Sequence, residues 1–184
     1  MGKIPWIDIF SLVVFIRVVY IALRSGILNE FVKLTGVFTA SFFSLQYYSS
    51  FLGSVFGKAP FSFSKVWLNT ISFCIIFLIF TFVFFLIRRV TALIFRREKY
   101  SLWERIAAVV LGALRALFLV SVFVFFFYPI PFLKTGVIKS TSFRIAKGIA
   151  PAVYINTYRV YEKINPLADI NKEVEDYYEA GSDL

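Results

Sequence analysis

Residues 66–87 read VWLNTISFCIIFLIFTFVFFLI, a stretch without a single charge. The hydrocarbon core of a bilayer takes about 20 apolar residues of helix. Only a helix or a closed barrel satisfies every backbone group there. The stretch therefore predicts a spanning helix. Three further stretches have the length and apolar character to do the same. Residues 4–23 carry Asp8 and Arg17 as polar exceptions, 31–52 carry Lys33, Gln46 and several serines, and 106–128 carry only Arg115. Pro129 and Pro131 follow the last of these and should end it, because proline lacks the backbone donor and clashes with the preceding turn.

Composition points the same way. The chain has 184 residues, 59% of them hydrophobic and 17% charged, with a mean hydropathy of +0.78. A soluble domain of this size cannot cover so much apolar surface. The reading is an all-α membrane protein with four transmembrane helices in residues 1–130 and an amphipathic helical tail in 131–184. In the tail, Phe143, Ala146, Ile149, Val153, Val160 and Ile164 recur at helical spacing among basic residues. The tail should lie on the membrane surface or the bundle end, broken near Pro151 and ended by Pro166. Its acidic end, from Asp169 through Glu173, Glu175, Asp176 and Glu179 to Asp183, should fray. The N-terminus is not read as a cleaved signal, because Arg17 interrupts its apolar core.

The net charge of +9 does not call for nucleic acid as a partner. The basic residues abut apolar runs, where membrane topology places them. The loop between the third and fourth spans is densest, with Arg88, Arg89, Arg96, Arg97, Lys99 and Arg105 against Glu98 and Glu104. Placing that loop in the cytoplasm puts both termini outside. Trp6, Tyr47, Tyr48, Trp67 and Tyr128 then form one interfacial belt, and Tyr20, Tyr100 and Trp103 the other.

Several function classes are weakly supported. Histidine is absent and Cys74 is the sole cysteine. Histidine-based triads, histidine-ligated haem and most zinc sites are thereby removed. No glycine-rich phosphate loop or nucleophile–base pair is present. No catalytic residue, metal or cofactor is expected, and Cys74 reads as a small packing residue.

The residues that stand out lie within or beside the spans. Gly36, Ala40 and Ser44 repeat every fourth residue on the second helix, and Ala108, Gly112 and Ala116 do so on the fourth. Such stripes allow close helix approach. The expectation is that they join the second helix to the fourth, the other reading being a pore they line. Arg17 lies near enough to the inner end of its helix to snorkel. Arg115, deeper, should face inward, because a charge in hydrocarbon is unfavourable without a partner. Glu30 is a candidate partner for it, and also sits three residues from Lys33. Asp8 and Glu30 both lie in first helical turns, where the helix dipole favours them. Gly26 sits in the tight turn between the first two spans.

These motifs resemble the colicin V production protein family of bacterial inner-membrane proteins. Trp6, Ile7 and Asp8 look like the family's opening. The run RSGILNE at 24–30 is similar to its first turn, with Gly26 followed four residues later by Glu30. Glu104 and Arg105, then Gly112 through Arg115, look like the start and middle of its last helix. The resemblance covers residues 6–128. It departs where members often carry a small residue and this chain has Val18, Val19, Tyr20 and Ile21. It implies a protein of the bacterial inner membrane in production or export of a peptide toxin, or in envelope homeostasis; with no catalytic motif in the sequence, the reading is a non-enzymatic one. Its partners would be the lipid bilayer and either further copies of itself or other inner-membrane proteins. A small channel or transporter built from oligomerised subunits is the other reading.

Overall fold

The computed structural model describes residues 5–56, 65–94, 101–166 and 169–182. The expected span start at Ile4, the loop residues Gly57 and Pro60, the charges at 96–99, Tyr100 and Asp183 lie outside them. The described chain is all-helical. The long helices are α1 (Trp6–Leu23), α2 (Ile27–Phe56), α3 (Lys65–Ile94) and α4 (Leu102–Phe127). Four shorter ones follow: α5 (Pro131–Ile138), α6 (Thr141–Ala146), α7 (Ile149–Ile164) and α8 (Lys172–Ser182).

Among the described residues, three helices are long and apolar enough to cross a membrane: Trp6–Leu23, Val66–Thr91 and Leu102–Phe127. The remaining long helix, α2, has 30 residues but buries Glu30, Ser41, Ser44 and Gln46. Its position explains its polarity. The long helices pack in the order α3, α2, α4, α1, so α2 and α4 form the middle pair and α1 and α3 the flanks. The flanking helices turn apolar side chains outward, among them Ile9, Leu12 and Ile16 on α1 and Leu78, Phe82 and Val90 on α3. An outer helix in lipid must be apolar on its exposed face, whereas an enclosed one can carry polar groups that find partners.

The helix ends differ from the sequence reading at the charged loop. Arg88 and Arg89 lie on α3, which runs on to Ile94, and α4 starts at Leu102 rather than Ile106. Charges at a membrane boundary do not interrupt the ladder of backbone hydrogen bonds; proline or competing caps do. At the start of α4 the Ser101 amide donates to Glu104 Oε2 at 3.0 Å, one arm of a capping box. Pro131 opens α5 at its first turn, where the missing donor costs nothing.

The glycines of the two small stripes do not face each other. A Cβ added at Gly36 would come within 2.8 Å of Phe84 on α3, and one at Gly112 would collide with Ala22 on α1. Gly36 thus seats α3 on α2, and Gly112 seats α1 on α4. The α2–α4 contact is instead filled by aromatic rings: Phe38 stacks on Phe118 at 4.3 Å and Tyr48 meets Phe126 edge-on at 6.1 Å. Large rings hold the parallel middle pair apart, and small residues draw the antiparallel flanks in. The close approach on α1 falls at Ala22, just beyond its bulky run. Ala40, Ala108 and Ala116 are fully buried, and Ser44 Oγ donates to the Ala40 carbonyl at 2.6 Å.

The tail folds back over the end of the bundle at which α1 begins. Thr141 and Ser142 amides donate to the Asp8 carboxylate at 3.1 and 2.8 Å, so Asp8 caps α6 rather than only its own helix. Ser121 Oγ on α4 donates to the Ala146 carbonyl at 2.5 Å and accepts from the Ala150 amide at 2.7 Å. The chain breaks at Gly148, not at Pro151. Pro151 lies in the first turn of α7, where proline is tolerated. The acidic end is not frayed over 172–182. It forms α8, with Val174 fully buried and Tyr177 edge-on to Phe125 at 4.8 Å. Glu173 Oε2 accepts from Tyr48 at 2.8 Å and Asn69 at 3.0 Å, which withdraws Tyr48 from the interfacial belt.

Replacing Gly112 with Leu should therefore break the α1–α4 contact. Overpacking of this kind costs about 1–3 kcal/mol or more, visible as a lower melting temperature in mild detergent. Phe82→Leu, on the exposed face of α3, should melt like the parent. Gly112→Ala should be partly restored by Ala22→Gly, which no α2–α4 interface would explain.

Candidate functional site

The short turn between α1 and α2 builds the site. Leu23 ends α1, the Ser25 amide bonds back to the Ala22 carbonyl at 3.0 Å, and the Gly26 carbonyl accepts the Glu30 amide at 3.1 Å. Gly26 is buried and keeps a negative φ, so its role here is compactness rather than a left-handed turn. This places Glu30 in the first turn of α2, fully buried, where the unpaired amides of the helix start favour a carboxylate.

Glu30 is held from two sides. Lys33, one turn further along α2, pairs with Glu30 Oε1, and its Nζ also donates to Ser25 Oγ at 2.8 Å. Ser25 Oγ in turn donates to the Ile21 carbonyl at 3.1 Å. From α4, Arg115 Nη1 lies 2.9 Å from Glu30 Oε2. That contact is an ion pair whose N–H is not aligned as a hydrogen bond. Arg115 is only 6% exposed, so the structure pairs it inward with Glu30.

Register, not residue count, sets the depth of this cluster. Arg115 lies about 20 Å along α4 from Leu102 at 1.5 Å per residue. Yet Gly112 packs against Ala22, next to the last residue of α1. Arg115 is therefore about one turn from the level at which α1 ends. The first turns of α4 extend past that level, with Leu102 and Trp103 widely exposed.

Arg88 of α3 lines the same cavity as Lys33 and Arg115 and is near enough to repel both. Its guanidinium sits 5.2 Å from the Phe85 ring centre, and no carboxylate among the described residues pairs with it. Thus Glu30, Arg115 and Gly26 are brought together. Asp8 serves the opposite end, and Arg17 is exposed on α1, away from the cluster. The stripe residues pack helices. The sequence reading did not assign Ser25 to the cluster and put Arg88 in a loop. Both are polar residues at the level where spans end, which is the signal that could have grouped them.

A second polar junction closes the opposite end of the bundle. Tyr154 Oη on α7 donates to Gln46 Oε1 at 2.5 Å and accepts the Asn171 amide at 2.9 Å. Gln46 Nε2 donates to the Asp169 carbonyl at 2.7 Å, and Asn171 Nδ2 to the Leu45 carbonyl at 2.6 Å. Burial pushes the Tyr154 hydroxyl up to about 12, so it stays a neutral donor across the physiological range. Among the described residues no cluster of three potential metal ligands occurs.

Removing the two partners of the central pair should have unequal effects. Glu30→Gln leaves Lys33, Arg88 and Arg115 facing one another without a carboxylate. Arg115→Leu leaves Glu30 still paired with Lys33. Stranding a buried charge costs about 3–5 kcal/mol, so Glu30→Gln should lower the melting temperature in mild detergent more than Arg115→Leu. The double variant should recover part of the loss. Additive effects would mean that the pair is not coupled.

Among curated proteins and among solved structures, no relative matches this chain. A family model described as colicin V production protein matches residues 7–151. That match takes in the four long helices, the buried ion cluster, and α5 and α6 of the tail, which extends it beyond the four long helices where the sequence motifs lie. The chain belongs to the colicin V production protein family.

Proposed function

We propose that this chain is a non-enzymatic, four-span protein of the bacterial inner membrane that acts in toxin production or envelope maintenance by assembling with other membrane components. The observation that carries the reading is the Glu30–Arg115 pair, buried between the two middle helices with Lys33 beside it. Charged groups within spans are expensive, and they mark function unless structure alone requires them. The family match supports the toxin-production role, and the family is not known as an enzyme family. The aromatic filling between α2 and α4 favours assembly over a pore lined by the small stripes.

The fourth crossing is α2. Its 30 residues reach about 45 Å, it runs antiparallel to α3, and its polar residues are covered by α3, α4 and the tail. With the charged 88–105 segment in the cytoplasm, both termini lie outside. In a Cys74→Ser background, cysteines at Lys99 and Ser182 test this in cells with a permeabilised outer membrane. An impermeant thiol reagent should label position 182 and spare 99. The opposite pattern inverts the topology.

Function should depend on the charge at 115. In a strain lacking the native protein, Arg115→Leu should insert normally but fail to restore toxin production or envelope integrity. Arg115→Lys should restore it partly, since an ammonium cannot reproduce the planar, multidentate guanidinium. Full activity of a well-expressed Leu variant would reduce the pair to a structural contact. Solute flux through reconstituted vesicles, abolished by the Leu change, would favour a channel instead.

A further inference from the structure

A cavity of about 280 Å³ opens beside the ion cluster, between α1 and α3, with α2 and α4 as its floor. Its charged groups are three cations, Lys33, Arg88 and Arg115, and the neutral polar residue Thr81 lines it with them. Among the described residues, Glu30, fully buried behind them, is the one carboxylate paired with any of the three. Two positive charges are therefore left uncompensated, among the described residues, around a space walled by Val18, Phe84 and Phe85. Arg115 makes, among the described residues, the ion pair with Glu30 and no aligned hydrogen bond, although it is largely buried. A guanidinium with five N–H groups in such a setting favours an anion that can accept several of them.

The shape of the cavity says where that anion comes from. The flanking helices α1 and α3 do not pack tightly on one another. Ile21, Thr81 and Phe85 at the rim are exposed. The mouth thus faces the lipid, close to the level where α1 ends. A phospholipid carries its phosphate at interfacial depth and its chains alongside the helices. A free hydrated ion would meet mostly apolar walls. The volume is near the lower end for small-ligand pockets, enough for a headgroup with the chains left outside between α1 and α3.

We infer that this cavity is a binding site for an anionic phospholipid, whose phosphate is held by Lys33, Arg88 and Arg115 and whose acyl chains lie in the cleft between α1 and α3. The site is independent of the toxin-production role, because its occupancy is read on the purified protein alone.

The test is native mass spectrometry of the full chain in mild detergent with dioleoyl phosphatidylglycerol, dioleoyl phosphatidylcholine or inorganic phosphate. Phosphatidylglycerol should be retained in preference to phosphatidylcholine. Each cation near an anionic lipid contributes roughly fivefold in affinity, so Arg88→Gln should weaken retention by about that factor, and Arg88→Lys should keep most of it. Arg88 pairs with no described carboxylate, so the fold does not rest on it. Thr81→Trp plugs the mouth with every charge intact and should abolish retention as well. Equal retention of the two lipids overturns the inference. So does undiminished phosphatidylglycerol binding by Arg88→Gln together with Thr81→Trp. Stabilisation by inorganic phosphate that phosphatidylglycerol neither matches nor displaces would assign the site to a soluble anion and overturn the lipid.

Discussion

A carboxylate and a guanidinium cannot sit in a low-dielectric interior apart from one another, and that requirement organises the bundle. Glu30 starts α2 and Arg115 lies midway along α4, so their 2.9 Å contact sets how far one helix slides past the other. Lys33 and Ser25 extend the contact to the carbonyl end of α1. One polar knot therefore joins three of the four long helices at one level. Apolar packing alone would tolerate a shift of these helices along their axes, whereas a stranded charge would not.

The opposite end has its own knot of neutral groups. Gln46, Tyr154 and Asn171 exchange hydrogen bonds among α2, α7 and the start of α8, while Asp8 and Ser121 hold α6 and α7 to α1 and α4. Between the two ends the middle pair is packed with rings and contains few polar atoms. The molecule is thus polar at two levels and apolar between them. The Glu30–Arg115 knot is charged and, among the described residues, leaves an excess of positive groups beside an open cleft. The other knot pairs Gln46, Tyr154 and Asn171 within the chain and carries a roof of short helices.

Close approach and wide separation are distributed by side-chain size. Gly36 and Gly112 bring the flanking helices onto the middle pair, and Phe38, Phe118 and Phe126 space the middle pair itself. The same logic explains why α2 is the least apolar of the long helices. Its neighbours, not lipid, cover most of its polar face.

From the sequence alone followed the helical class, the positions of the four long helices, the family-like turn around Gly26 and Glu30, and the need for Arg115 to face inward. Each of these is local or one-dimensional: hydropathy, helical period and the cost of a lone charge depend on neighbours along the chain. Three matters depended on tertiary structure. The stripe glycines Gly36 and Gly112 turned to the flanking helices, because a small residue says that something approaches closely but not what. The acidic end became α8 rather than a frayed tail, because burial of Val174 and the bonds from Tyr48 and Asn69 to Glu173 join residues more than a hundred positions apart. The depth of Arg115 was set by Ala22 against Gly112. Distance along a helix is written in the sequence, but the level at which its neighbour ends is written only in their packing.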